Sequence, residues 1–355
     1  MDRLRIALVG DWPPPHGGLS VHVAALARDL EARGADVRVL DVGRGDHAAA
    51  RVRPARGARR FAAALAGVAA DGRLVHVHTS GANPRSWLVA LAGGRARRPA
   101  APRGVLTIHS GRCPGWLAAS PGRRALAAWA CAAYARVLAV SEEIAGALVR
   151  AGVPARRIAV LPAFSRAMLA PGPPPAALGP FRAERRPLFA AALARGRTHG
   201  ADVLCAAFAA VRAHAPGAGL AAFGPGTEAL AGEEGVLALG DVPRGAAQAV
   251  IASADAFVRP TRADGDAISV REARALGTPD VATAVGHRPP GCLLVPQGDA
   301  VALAAAKARA ASPTRAAGRV SGPDPFDALH AIYRTLAASR PLPDGGRPGV
   351  RAPIF

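Results

Sequence analysis

The sequence predicts an α/β protein: two doubly wound domains with parallel sheets, facing each other across a cleft. Three observations predict it. Short continuous apolar runs alternate with Ala/Leu-rich amphipathic segments, a proline-rich break interrupts the alternation near the middle, and the same alternation then resumes. At 355 residues the chain is also too long for one compact core and suits two.

The first unit begins with "LRIALVG" (4–10), a continuous apolar run of the kind buried on both faces of a parallel sheet. The turn "DWPPPHGG" follows, then an amphipathic helix "LSVHVAALARDLEARG" ending at Gly34, then the strand "DVRVLDVG". "LVHVHTS" (74–80), "GVLTIHSG" (104–111), "RVLAVS" (136–141) and "RIAVLPA" (157–163) continue as short strands separated by helical segments. "MLAPGPPPAALGP" (168–180) cannot continue a helix or a central strand and is predicted to be a hinge linker. Beyond it, "RPLFAAAL", "GLAAFGPG", "GVLALGDV", "DAFVRP", "DVATAV" and "GCLLVPQGD" are strands and their turns, interleaved with helices such as "AISVREARALG". The expected domains are 1–167, 181–322 after the 168–180 linker, a last helix in 323–339, and a loose Pro/Gly/Arg tail over 340–355.

The formal charge of +20 rests almost wholly on arginine, since Lys307 is the only lysine. With abundant Ala, Gly and Pro, this is what GC-rich codons impose, so no nucleic-acid partner is inferred; the excess still attracts phosphates, nucleotides and acidic lipid head groups. Cysteines 113, 131, 205 and 292 form no CxxC pair, which gives no support to a zinc site and suits a reducing compartment. No apolar stretch approaches the roughly 18–20 residues of a spanning helix, and "MDRLRIALVGDW" is expected to be a first strand rather than a signal peptide. Five arginines in "RVRPARGARR" (51–60) and four in "GGRARRPAAPR" (93–103) are either solvated loops or a patch for anionic lipid.

Ligands of such folds lie at the carboxyl ends of the strands, which selects the candidates. Gly17 and Gly18 lie between the first strand and helix, where bare backbone approaches an anion, or simply makes a tight turn. "FGPGTEA" (223–229) fits a dinucleotide fingerprint but stands in mid-domain, and a turn glycine pair is the preferred reading. His76 and His78 alternate in one strand and read as structural, whereas His109 at the end of "TIHSG" is placed for chemistry. In "DGDAISVRE" (264–272), Asp264 and Gly265 precede a helix expected to begin near Ala267, and Glu272 lies about 12 Å further along. That separation matches a hexose and a ribose joined by a diphosphate. Two carboxylates would accept from the hydroxyls of the two sugars, while N–H groups near Asp266 and Ala267 add donors. A solvated acidic helix face is the competing reading.

Together these segments resemble the family-4 retaining glycosyltransferases of GT-B architecture, two facing Rossmann-like domains, over about residues 4–338. "PPPHGGLSVHVAALARDLEARGADVRVL" is similar to the family's first loop and helix. "VHVHTS", "LTIHSG" and "VLAVSEEIAGALVRAGVPARRIAVLP" are similar to its later amino-domain segments, and "ASADAFVRPTRADGDAISVREARALGTPDVAT" to its signature block. The resemblance implies that Glu272 is the second acid of the E-x7-E motif, holding the donor ribose. Asp264 takes the first acid's place at the transferred sugar, Gly17 and Gly18 lie beside the diphosphate, and His109 near the reacting anomeric carbon. The last helix is implied to cross back onto the amino domain.

The chain departs from the family at three points. Asp264 is one methylene shorter than the usual glutamate. In "ALARGRTHG", His199 stands where a lysine is expected, leaving Arg195 or Arg197 to supply charge to the diphosphate. Asp280 replaces an apolar strand residue, where an unpaired buried carboxylate would cost several kcal/mol.

The implied activity is hexose transfer from a nucleotide-diphosphate sugar to an acceptor hydroxyl, with no cofactor and no metal. It would serve cell-surface glycan or glycolipid synthesis, with a glycan or lipid-linked acceptor. The implied location is the cytoplasm, with peripheral contact at the inner face of the membrane. The alternatives are a degenerate GT-B protein that only binds a nucleotide sugar, a GT-B nucleotide-sugar epimerase, and a dinucleotide-dependent oxidoreductase using "GPGTEA".

Overall fold

The computed structural model describes residues 3–43, 50–98, 101–310 and 322–338, with side chains 307–310 left aside. The expected loose tail, 340–355, lies outside the described residues.

Seven parallel strands form the first sheet: β1 (Arg5–Gly10), β2 (Asp36–Asp41), β3 (Val52–Pro54), β4 (Leu74–Thr79), β5 (Val105–Ile108), β6 (Arg136–Ala139) and β7 (Ile158–Val160). Their spatial order is β3-β2-β1-β4-β5-β6-β7. The second sheet holds β8 (Leu188–Ala192), β9 (Gly219–Phe223), β10 (Val236–Ala238), β11 (Ala256–Arg259), β12 (Asp280–Thr283) and β13 (Leu293–Val295), in the order β10-β9-β8-β11-β12-β13. In each sheet the order in which strands are added therefore reverses once, between β1 and β4 and between β8 and β11, and these are the two points where a parallel sheet opens a crevice at its carboxyl edge. β4, β5 and β8 are buried along their whole length, which explains why they read as unbroken apolar runs.

Helix α1 (Gly18–Ala32) buries Val23, Leu26 and Leu30, spaced three and four residues apart, and stops before Gly34, whose φ of +84° suits glycine. The arginine-rich 51–60 stretch, expected as loop, contains strand β3 and the start of helix α2 (Ala58–Ala70). Val52, buried at the sheet edge, is too short an apolar signal to reveal a strand.

Two further helices matter for the site. In α10 (Ile268–Ala275) the first residue, Ile268, packs into the core of the first sheet although its helix belongs to the second. α12 (Pro325–Ala338), the last described helix, likewise places Phe326, Leu329 and Tyr333 in the first core. The second sheet has a core on each face, one around Phe189 and Leu204, the other around Phe257 and Val270.

Asp280 proved to be paired. It is fully buried in β12, and Arg274 of α10 meets its carboxylate at 3.1 Å. Removing either partner would strand a buried charge, at a cost of about 3–5 kcal/mol.

Candidate functional site

The carboxyl ends of both sheets converge on one cleft of about 430 Å³, within the usual range of roughly 300–1,000 Å³ for a small-molecule site. From the first sheet come His16, Gly17 and Gly18 after β1, Ser80 after β4, and His109 to Arg112 after β5. From the second come residues 192–196, Thr198 and His199 after β8, Phe223 and Gly224 after β9, Asp241 and Arg244 beyond β10, and Arg259 with residues 263–269 and Glu272 after β11.

Both acids face this cleft, each anchored through one oxygen. Arg244 donates to Glu272 Oε1 from Nε at 3.0 Å and from a terminal nitrogen at 2.7 Å, and Gln248 donates to the same oxygen at 2.7 Å. Asp264 Oδ2 takes Arg259 Nε at 3.1 Å and the Thr261 hydroxyl at 3.3 Å, with Arg288 at 3.6 Å. Burial alone would push the Asp264 carboxyl up, but Arg259 and Arg288 outweigh it and hold it below the ordinary range, so it is ionised. No hydrogen bond among the described residues occupies Glu272 Oε2 or Asp264 Oδ1, so each acid keeps one acceptor for a ligand.

Helix starts supply the donors. α10 begins at Ile268, one residue past the expected start, with Asp266 and Ala267 lining the cleft ahead of it. Asp266 is not a free cleft acid: its carboxylate accepts from Arg271 at 2.6 Å and from the Ala163 N–H of the other half at 2.8 Å, while burial pushes its pKa up. At the start of α1, a Cβ on Gly18 would meet nothing within 4 Å, and its φ is not positive. Neither packing nor backbone conformation demands glycine there, which leaves the open space in front as its consequence.

Gly265 has the opposite character. A Cβ there would lie 2.1 Å from the His109 carbonyl oxygen, and one on Gly111 would lie 1.9 Å from the Asp264 carbonyl oxygen. The two loops thus touch backbone to backbone. In "FGPGTEA", Gly224 has φ +105° and would collide with Leu193, and Gly226 with Ala194. Packing of the β8 and β9 turns accounts for both glycines, as the turn reading expected.

The cations differ from expectation. Arg195 lines the cleft but is largely exposed and pairs with Glu228 at 2.7 Å. Arg197 is not among the lining residues; it is exposed, and its carbonyl accepts from Arg262. His199 lines the cleft, yet burial, then Arg259, push its pKa down to about 4 against the pull of Asp264, so it brings no charge at neutral pH. Arg112, Arg244 and Arg259 line the cleft instead. Only Arg259, at the end of "DAFVRP", stood at a position that sequence reasoning selects. Arg244 and Arg112 carry no motif, and one arginine among so many gives no signal.

His109, half-buried at the cleft edge, shares a 3.2 Å contact from its Nε2 to His78 Nδ1. Burial, and the neighbouring His22 and His76, push its pKa well down. A further link closes the cleft from the side, where Asp241 takes the His16 backbone N–H and ring Nδ1 at 3.2–3.3 Å.

Residues 16–164 match the model of the glycosyltransferase family 4 domain, and residues 184–312 that of the glycosyl transferases group 1. Among solved structures, the chain is similar to HepE of Anabaena in complex with UDP and glucose, at 16% identity over 95% of each chain and a TM-score of 0.63. It is also similar to sucrose-phosphate synthase of Thermosynechococcus elongatus, at 21% identity over 95% of this chain and 97% of that one, with a TM-score of 0.66. A Listeria monocytogenes protein assigned as a UDP-N-acetylglucosamine 2-epimerase aligns at 13% identity over 96% and 99% of the chains, with a TM-score of 0.63. At such identities the likeness establishes the fold alone. No curated protein sequence matches the chain.

Proposed function

Because the chain belongs to the family 4 glycosyltransferases of GT-B architecture, we propose that it moves a hexose, with retention, from a nucleotide-diphosphate sugar to an acceptor hydroxyl. The observation that most supports this reading is the pair of anchored acids in one cleft, each with an oxygen to spare. Glu272 Oε2 would accept from the ribose and Asp264 Oδ1 from the transferred sugar. The diphosphate would lie between them, against the starts of α1 and α10, with Gly18 giving it backbone access.

Departure of the nucleoside diphosphate leaves negative charge on the phosphate oxygens, and arginines already fixed in place stabilise that charge without reorganising. Arg244 and Arg259, held by Glu272 and Asp264, would serve in this way, with the exposed Arg112 and Arg195 able to swing onto the phosphates and no metal at the diphosphate. Arg244 has one buried terminal nitrogen without a hydrogen-bond partner, a donor that a phosphate oxygen would satisfy. Front-face attack, in which the leaving phosphate takes the acceptor proton, needs no protein base.

A lipid-linked acceptor at the inner face of the membrane fits the surface of the first domain. Between α2 and helix α3 (Pro84–Arg95) runs an apolar groove of about 760 Å³, lined by Phe61, Leu65, Leu88 and Trp129 with Arg56, Arg85 and Arg95 beside them. Apolar side chains ringed by arginines suit an anionic bilayer surface. No described helix is long and apolar enough to cross a membrane.

Transfer assays with a panel of UDP- and GDP-sugars test the reading. Glu272→Ala is expected to lower donor kcat/KM at least about 100-fold, since it removes the ribose acceptor and leaves Arg244 buried without its partner. Unchanged donor kinetics would remove Glu272 from the donor site. The epimerase alternative predicts a changed sugar with no acceptor glycosylated, and the oxidoreductase alternative predicts NAD binding.

A further inference from the structure

His109 and three further imidazoles, His22, His76 and His78, cluster in the first domain with their rings tilted or edge-on to one another. His76 and His78 lie 3.9 Å apart between ring centroids, and His22 lies 5.2 Å from His78 and 5.0 Å from His109. Their hydrogen bonding divides them. His76 is satisfied on both nitrogens, by the Tyr333 hydroxyl at 2.5 Å and the Thr107 hydroxyl at 2.7 Å. His22 and His78, equally buried, each keep an Nε2 with no partner, and a buried orphan of this kind costs about 1–3 kcal/mol. His76 is therefore a structural histidine, whereas His22 and His78 each have one unsatisfied nitrogen and His109, bonded to His78, lies beside them.

We propose that His22, His78 and His109 form a binding site for one late first-row divalent ion of the Zn2+ class, with the remaining coordination position turned toward the cleft.

Four observations carry the site. One ring nitrogen from each of the three histidines lies within 4.8 Å of the other two. His78 Nδ1 and His109 Nε2, which share a hydrogen bond when no ion is bound, are 3.2 Å apart, close to the roughly 3.3 Å spacing of two nitrogens bound at about 2.0–2.1 Å to one tetrahedral ion, and the orphan that such an ion would satisfy is His22 Nε2. His22 Nδ1 donates to the Ala163 carbonyl at 2.7 Å, which fixes its tautomer and leaves the Nε2 lone pair available, the arrangement typical of a metal-bound histidine. His22 and His78 are only 3% and 2% exposed, so an ion held between them would be shielded from bulk water on their side. Since His78 and His109 already have this spacing, closing the set means shortening the distances to His22 from at most 4.8 Å to about 3.3 Å, a movement of up to about 1.5 Å shared among the rings.

A three-histidine set brings no negative charge, so the ion keeps its Lewis acidity and takes a water, a hydroxide or an anionic oxygen at its fourth position. That position opens where the cleft opens, beside His109. The site stands apart from the transferase reading, because its test measures metal rather than turnover.

The full-length protein, stripped with chelator and desalted, is titrated with Co2+, and the visible absorption of the four-coordinate ion is followed. Zn2+ is then added in competition, and metal per chain is measured by mass spectrometry. One ion per chain is expected, displaced by Zn2+, with affinity at least about tenfold weaker in His109→Ala and in His22→Asn, and unchanged when the exposed His214 is replaced in His214→Ala. Near-universal burial makes His22→Asn prone to misfolding, so near-UV circular dichroism accompanies each variant; His109→Ala, at the cleft edge, decides if His22→Asn does not fold. Absence of stoichiometric binding by the wild type, or binding of equal strength in His109→Ala, would overturn the proposal.

Discussion

At position 199 an imidazole stands where the family carries a lysine, and burial beside Arg259 keeps that ring uncharged down to about pH 4. The sign of its pH effect follows. A histidine with a depressed folded pKa binds its proton in the unfolded chain first. Its contribution to stability is therefore whole above about pH 6.5 and declines as the pH falls toward 4. If His199 were the cation for the leaving diphosphate, donor kcat/KM would climb as the pH dropped through 6.5. The expected profile has no such rise between pH 7.5 and 5.5. His199→Lys, which places a permanent charge there, should raise kcat/KM about tenfold. A rise in the wild-type profile that disappears in His199→Lys would show that the histidine does become charged. Legibility in the sequence divides along the same line. Asp264 and Glu272 stood out in the sequence because eight residues of helix would span a ligand with two sugars, and both acids do line one cleft. Arg244 and Gln248, which anchor Glu272 from another helix, lie 28 and 24 residues upstream of it, at no interval that local reasoning reads.

Among the elements, the loops after β5 and β11 meet without side chains between them, and the helix starts at α1 and α10 frame the ligand space. This separates two kinds of glycine. Gly265→Ala puts a methyl 2.1 Å from the His109 carbonyl and has to push the loops apart, so it is expected to lower kcat, measured at saturating donor, by about 100-fold. Gly18→Ala meets nothing within 4 Å, so its melting temperature should equal or exceed the wild type while its donor KM rises about tenfold. A Gly18→Ala enzyme with unchanged KM would free the α1 turn from the donor site. In α12, Phe326→Ala is expected to cost about 3–5 kcal/mol, because its ring is buried edge-on to His22 in a core made by another part of the chain. Strands buried on both faces were legible as apolar runs, and α1 as a three-four pattern closed by glycine. The edge strand β3 was not, since three residues beside arginines carry too little pattern.

Across the whole molecule, the two halves are tied where the chain passes between them as well as at the cleft. Gln248, fully buried in helix α9 (Arg244–Ser253), donates to the Met168 carbonyl at 2.9 Å and accepts from the Ala170 N–H at 2.8 Å, while its amide also reaches Glu272. One side chain thus joins the start of the proline-rich segment to an acid of the cleft. A shift in how the halves are set would have to move Gln248, and with it one of the three donors on Glu272 Oε1. Gln248→Leu keeps the volume but removes every one of these bonds, leaving the buried Met168 carbonyl unpaired at a cost of about 1–3 kcal/mol and the N–H of the exposed Ala170 to water. The expected outcome is a lower melting temperature together with a donor KM raised about tenfold, because Glu272 keeps Arg244 but loses its fixed orientation. The nucleoside diphosphate of the sugar that the transfer assays select, which adds about 2.7 kcal/mol at 100 times its Kd, should then stabilise the wild type more than Gln248→Leu at the same concentration. Equal shifts in the two proteins, with stability lowered by the substitution alone, would show that Gln248 fastens the linker without reaching the donor site.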